Sequence, residues 1–181
     1  MKHVVPGDEI LAVNSNGLPF FDEVIMLLHQ NHDSAIKDYV KITTENQNVI
    51  VLSRYHLIFV SKTQSVFSKD VRAGQNVYIY NALTKELEMK VVTNISYVEK
   101  TGMYAPLTRS GTIIVNNVYA SCYAMFPSHR ISHAVFYIWR QLYRLLRFFE
   151  PLAGIPSKEI HWFPDIFRKA MNKLNMFSYK L

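Results

Sequence analysis

Over the first two thirds of the chain, apolar and polar residues alternate in short runs separated by polar turns, the period of half-buried strands. Tyr39-Val40-Lys41-Ile42-Thr43-Thr44 and Asn48-Val49-Ile50-Val51-Leu52 flank the turn Glu45-Asn46-Gln47, and a third run from His56 to Ser61 follows directly. Further on, Asn94 to Glu99 and Thr112 to Val118 read as paired strands with a glycine-bearing loop between them. Beyond Met125 the period changes. Val135, Ile138, Leu142 and Leu145 fall on one stripe of a helix expected over Ile131 to Glu150, and Arg140, Arg144 and Arg147 fall on another. Pro151 ends that helix, and a second is expected from about Asp165 to Asn175. The expected fold is all-β with an α-helical C-terminal tail.

The strand pattern occurs twice. Laying Gly7 over Gly74 aligns GDEILAVNSNGLPFFDEVI with GQNVYIYNALTKELEMKVV, so that Ile10 meets Val77, Asn14 meets Asn81, Val24 meets Val91 and Ile25 meets Val92. Each copy reads as a strand entered from a glycine turn, a reversal at Ser15-Asn16-Gly17 or Ala82-Leu83-Thr84, and a returning strand. Two unrelated hairpins can share such a pattern, but a duplication is the favoured reading.

Composition adds a division of charge. The 181 residues are 49% hydrophobic and 19% charged, enough for one domain or one domain with an appendage. Residues 1–125 carry 11 Lys/Arg and 11 Asp/Glu, while 126–181 carry 9 and 3, so the net +6 resides in the tail. The tail's arginines sit among long aliphatic and aromatic side chains and no nucleic-acid motif accompanies them. Solvent or an anionic membrane surface is therefore the expected counterpart, not nucleic acid. No apolar run approaches the roughly 18 residues of a membrane span, and Met1 does not open a signal peptide. A lone cysteine, Cys122, excludes an internal disulfide framework and a cysteine-rich metal site.

Four groups could carry chemistry. Ser53-Arg54-Tyr55-His56 places a hydroxyl and an imidazole three residues apart on a turn, which taken alone reads as a solvated turn with a bystander histidine. His29, near His32 and Asp33, is either a general base or the end of a strand at a polar turn. Cys122 reads first as a small buried hydrophobe whose apolar setting raises its pKa. His129 and His133 have the spacing of two ligands on one helix face, but no third ligand accompanies them, and a surface helix start is expected. Gly102 and Gly111 frame a loop without a phosphate-cradle pattern.

The stretch 105–124, APLTRSGTIIVNNVYASCYA, closely resembles the last conserved block of the Hint domain of Hedgehog-type proteins. Ser53-Arg54-Tyr55-His56 followed by Leu57-Ile58-Phe59-Val60 resembles that family's Thr-x-x-His motif, with serine for threonine. The segment from Phe21 to His29 resembles a family segment that ends in an aspartate; histidine here is similar to nematode Hedgehog-related proteins. Ile160-His161-Trp162-Phe163 resembles a short motif of the trailing adduct-recognition region.

The resemblance implies two pseudo-symmetric β subdomains over 1–125 and a helical sterol- or adduct-recognition region over 126–181. It implies a reaction in which a cysteine forms a thioester with the residue before it and a lipid alcohol, as co-substrate, then takes the acyl group. His56 and Ser53 assist the first step on this reading, His29 the second, and Cys122 matches a family cysteine near the nucleophile. Trp139, Arg140, Arg144, His161, Trp162 and Phe163 fall to lipid or adduct recognition. No cofactor or metal is implied. The implied partners are a signalling domain upstream in cis and a lipid or membrane surface; the implied location is the secretory pathway or outside the cell. The family's opening cysteine has no counterpart in Met1 to Pro6, so the chain is expected to be a fragment of an autoprocessing protein or a silent lipid- or protein-binding relative.

Overall fold

The computed structural model describes residues 1–124, 126–138, 140–142 and 145, and for residues 29–37 the backbone course alone. Trp139, Arg144, Arg147, His161, Trp162, Phe163 and the helix expected from Asp165 lie outside the described residues.

Strands β1 (Glu9–Val13), β2 (Pro19–Thr44), β3 (Val49–Leu52), β4 (Leu57–Phe59) and β5 (Ser65–Phe67) are followed by a single 3-10 turn, Ser68–Asp70. Then come β6 (Asn76–Asn81), β7 (Glu86–Thr108), β8 (Thr112–Val115), β9 (Val118–Ser121) and helix α1 (His129–Val135). Hydrogen bonding links the strands in the order β1-β2-β7-β6-β9-β4-β5, with β3 beside β2 and β8 beside β9.

The two expected hairpins form, and their hydrogen bonds match. Gly7 N–H donates to Val24 O at 2.8 Å and Val24 N–H to Asp8 O at 2.8 Å; Gly74 N–H donates to Val92 O at 2.9 Å and Val92 N–H to Gln75 O at 2.8 Å. Both glycines enter at positive φ, +96° and +87°, where a side chain is strained. Asn14 Oδ1 accepts from the amides of Asn16 and Leu18, and Asn81 Oδ1 from those of Leu83 and Thr84, so the same side chain closes each turn. The equivalence thus places Val24 on Val92, one residue from the position a gapless alignment gives. The registers say why: Glu9 faces Glu23, whereas Asn76 faces Val91, so the second hairpin holds one more residue.

The returning strands are far longer than the alternation indicated. β2 runs 26 residues and β7 runs 23, paired antiparallel for most of their length. A straight 26-residue strand would reach about 85 Å. Instead the register shifts at five places along the pair, bulges that bend and twist it so that it serves both halves. The loop expected between Glu99 and Thr112 is therefore mostly strand: Gly102, at φ +89°, and Pro106, opposite Leu27, lie inside β7. His29 does not end its strand either; it pairs with Ala105 in mid-ladder.

One main core joins the halves. Ile25, Val40, Ile42 and Ile50 pack with Leu57, Val77, Val92, Leu107 and Ile113, and Phe136, at the C-terminal cap of α1, enters the same cluster. A ring so buried contributes about 1.5–3 kcal/mol to docking the helix. A satellite cluster holds Val13, Phe59, Tyr78 and Tyr119, with the Phe59 and Tyr119 rings stacked at 4.0 Å.

α1 and the helical residues described beyond it reverse the expected polarity. Ser132, Phe136 and Arg140 face the β domain, Arg140 only 9% exposed, while Ile131, Val135, Ile138 and Leu145 face outward, Ile138 71% exposed. Leu142 alone of the expected apolar stripe packs against the core. The guanidinium tolerates this burial because Tyr123 Oη and His133 O accept from it. Among the described residues, no helix is long and apolar enough to cross a membrane.

Candidate active site

The amide of His56 donates to Ser53 O at 2.9 Å, closing a tight turn ahead of β4. Ser68, fully buried in the 3-10 turn, clamps it: its hydroxyl donates to Ser53 O at 2.7 Å and lies 3.1 Å from Arg54 O, and its amide donates to His56 O at 2.8 Å. Ser53 and His56 are thereby held as one rigid unit.

His56 Nε2 lies 2.7 Å from the carbonyl oxygen of Ser121, at the end of β9. A carbonyl only accepts, so Nε2 carries the proton and the neutral ring keeps its lone pair on Nδ1. Burial lowers the pKa of His56, opposed by that hydrogen bond, so the ring is neutral near pH 7 and Nδ1 is ready to take a proton.

Cys122 follows Ser121 directly, so β9 brings the histidine and the cysteine to one strand end. The thiol is buried, and desolvation is the main reason that its pKa rises to about 11, with the Asp22 carboxylate adding to the rise; hydrogen bonds from Thr108 oppose it. Thr108 Oγ1 lies 3.7 Å from the sulfur, and Cys122 N–H donates to Gly111 O at 2.8 Å. At neutral pH this is a protonated, shielded thiol, a poor nucleophile. Asp22 is itself buried and accepts from the Ser110 amide at 2.7 Å, while Thr112 bridges to β1 through both the amide and the carbonyl of Val13.

The two tail histidines are not on a surface helix start. His129 Nδ1 meets Ser121 Oγ at 3.0 Å and its amide donates to Ser65 Oγ; His133 Nδ1 meets the Tyr123 hydroxyl at 3.1 Å. Burial lowers both pKa values to about 4, with the neighbouring Arg140 charge adding to each and the His133 charge also acting on His129. Arg140 donates to Tyr123 Oη at 2.9 Å and to His133 O at 2.8 Å. Among the described residues no three potential metal ligands cluster.

Ser53 and His56 thus share one turn, and His56 reaches the carbonyl of Ser121, the residue before Cys122. His29 is placed on β2 opposite Ala105 by its backbone alone, and Arg140 is spent on α1 docking. Ser68, Ser121 and Tyr123 are site residues that sequence patterns do not reveal. Ser121 and Tyr123 flank Cys122, the one cue the chain offers for them; no local signal marks Ser68.

The family model described as "Hint module" matches residues 1–175. The chain belongs to the Hint module family. This Hint module is 33% identical over 167 residues to Protein hedgehog of Drosophila erecta, covering 88% of the chain and 34% of that protein. It is 31% identical over 180 residues to Protein hedgehog of Drosophila melanogaster, covering 96% and 36%. Over 144 residues it is 31% identical to Sonic hedgehog protein of Xenopus laevis, covering 75% and 32%. The chain therefore spans about a third of the length of these relatives. Among solved structures, its fold is similar to a DnaB intein from Synechocystis (TM-score 0.53, 8% identity, covering 64% of this chain and 79% of that one). A transcription factor IIB Mvu mini-intein gives a TM-score of 0.52 at 17% identity, covering 62% and 71%. These two likenesses establish the Hint fold and nothing further.

Proposed function

We propose that this Hint module is the processing part of a Hedgehog-like protein, which cleaves the chain ahead of itself through a thioester and passes the released acyl group to a lipid alcohol. The observation that carries this reading is the fixed imidazole of His56, with Nε2–H on Ser121 O and Nδ1 left as base, inside a module whose relatives are Hedgehog proteins. The attacking thiol is assigned to a cysteine preceding this segment, because Cys122 is buried and protonated. In the first step that sulfur bonds to the carbonyl carbon before it and the C–N bond breaks; the thiol proton passes to His56 Nδ1 and on to the leaving nitrogen. In the second, the alcohol oxygen attacks the thioester, the C–S bond breaks, and a base, for which His29 is the candidate, takes the alcohol's proton.

The outward apolar residues Ile131, Val135, Ile138 and Leu145 support contact between the tail and a lipid surface. They equally suit a silent Hint-like module that only binds lipid or protein. Secretory-pathway location and a signalling domain in cis belong to the first reading.

The experiment joins a cysteine-led segment and a reporter ahead of this chain and adds dithiothreitol. Thiol cleavage is expected and should fall at least about a hundredfold in His56→Ala. Cleavage that survives in His56→Ala removes the histidine from the mechanism, and no cleavage in the parent favours the silent module.

A further inference from the structure

Residues 121–123 hold two things at once. On the backbone side, Ser121 O accepts from the His56 ring and Tyr123 O accepts from the Leu57 amide at 3.1 Å, so this short segment braces the catalytic histidine and the strand that follows it. On the side-chain side, the same segment receives α1. The Tyr123 ring is buried and stacks on Phe136 with centroids 5.1 Å apart. Its hydroxyl takes a hydrogen bond from Arg140 and meets His133 Nδ1, and Arg140 also reaches His133 O. With Arg140 donating to the oxygen, the hydroxyl proton is free to go to His133, which suits a neutral imidazole.

Gly111 explains itself at this point. A Cβ there would lie 2.6 Å from the Tyr123 hydroxyl oxygen and 2.7 Å from His133 Nδ1, and the residue adopts φ +74°. The glycine of the Thr-Arg-Ser-Gly-Thr turn is thus the space in which the tyrosine and the histidine meet.

We propose that Tyr123 is a positioning residue for acyl transfer: its hydroxyl, in the space left by Gly111, locks α1 onto the wall that carries His56. The inference rests on the processing reading and deepens it, because it says how the segment that meets the lipid acceptor keeps its place relative to the thioester. An acceptor displaced by even an ångström or so loses most of the advantage of being bound.

Tyr123→Phe tests it, since the ring and its stacking remain and only the hydroxyl goes. In this chain, hydrogen exchange at the α1 amides is expected to quicken about tenfold or more while the β-sheet amides are unchanged. In the chain extended by a cysteine-led segment, a sterol, a long-chain alcohol and a monoacylglycerol in detergent micelles serve as acceptors, with dithiothreitol as the competing thiol. The ratio of acyl transfer to thiol cleavage is expected to fall about tenfold. Gly111→Ala keeps the hydroxyl but fills its space and should reproduce both changes; if it fails to fold, Tyr123→Phe decides. Unchanged helix exchange overturns the lock. Loss of transfer and thiol cleavage in equal proportion overturns the role in transfer and assigns Tyr123 to the His56 step. A parent that neither cleaves nor transfers overturns the processing reading, and the role in transfer with it, while the exchange data still decide whether the lock exists.

Discussion

The hairpins β1–β2 and β6–β7 begin from equivalent glycines, close with equivalent asparagines and share equivalent ladder bonds, yet the chain leaves them differently. After the first copy it runs through β3 into the Ser53–His56 turn, clamped by Ser68. After the second it runs through β8 and β9 to Ser121, Cys122 and Tyr123, which receive both the histidine and α1. The shared parts are scaffold and the departures form the candidate site. A duplicated frame supplies two similar walls; chemistry needs them to be unlike where they meet.

The sharpest way to separate the halves is acid. His129 and His133 have folded pKa values of about 4, below the ordinary 6.5, so the docked state binds fewer protons than the free helix. Docking of α1 is at full strength above about pH 6.5 and weakens as pH falls through 4, with Arg140 beside both rings adding repulsion once they charge. Hydrogen exchange at pH 7 and pH 4.5 should show α1 losing protection while β6–β7, which holds no histidine, keeps it. Equal loss in both would mean global acid unfolding instead.

Ser68→Ala comes next. The hydroxyl lost is fully buried and bridges two carbonyls, so stability should fall about 1–3 kcal/mol by urea unfolding. Thiol cleavage in the extended chain should fall further than the folded fraction accounts for, because His56 loses its brace. If the two fall in step, Ser68 is only structural.

Gly7→Ala and Gly74→Ala test the equivalence itself. Neither Cβ meets an atom within 4 Å, so each costs only the left-handed strain, about 1–2 kcal/mol, and the two should agree. The smallest effects belong to Asn14→Ala and Asn81→Ala, about 0.5–1.5 kcal/mol each. Asn81 should cost the more, since its amide also donates to Glu88. A larger loss at Asn14 would break the symmetry.

Much of the frame is legible in the chain because it rests on local chemistry. Gly7 and Gly74 announce positive φ, Asn14 and Asn81 announce turns, and alternation marks β1, β3 and β6. The ends of β2 and β7 are not legible. Residues 29–38 are polar except for Ala35 and Ile36, and Gly102 and Pro106 read as breakers, so only the partner strand, through its bulged ladder, keeps these stretches extended. Arg140 misleads for a related reason: its sequence position matches Arg144 and Arg147 on a polar stripe, and burial depends on Tyr123 Oη and His133 O standing within reach. Ser53 and His56 are visible as a pair by resemblance to a family, but the tautomer of His56 follows from a carbonyl 65 residues away.

Sequence alone determined the β class, the doubled hairpin, the basic tail and the positions of Ser53, His56 and Cys122, since each depends on residues close in the chain or on a motif written in order. Only the tertiary structure decided that two strands run the length of the domain, that Arg140 is buried against Tyr123 and His133, and that Gly111 leaves room for the lock between Tyr123 and α1. Those outcomes depend on which groups meet across dozens of residues, where burial and hydrogen-bond partners are set by packing and not by neighbours in the chain.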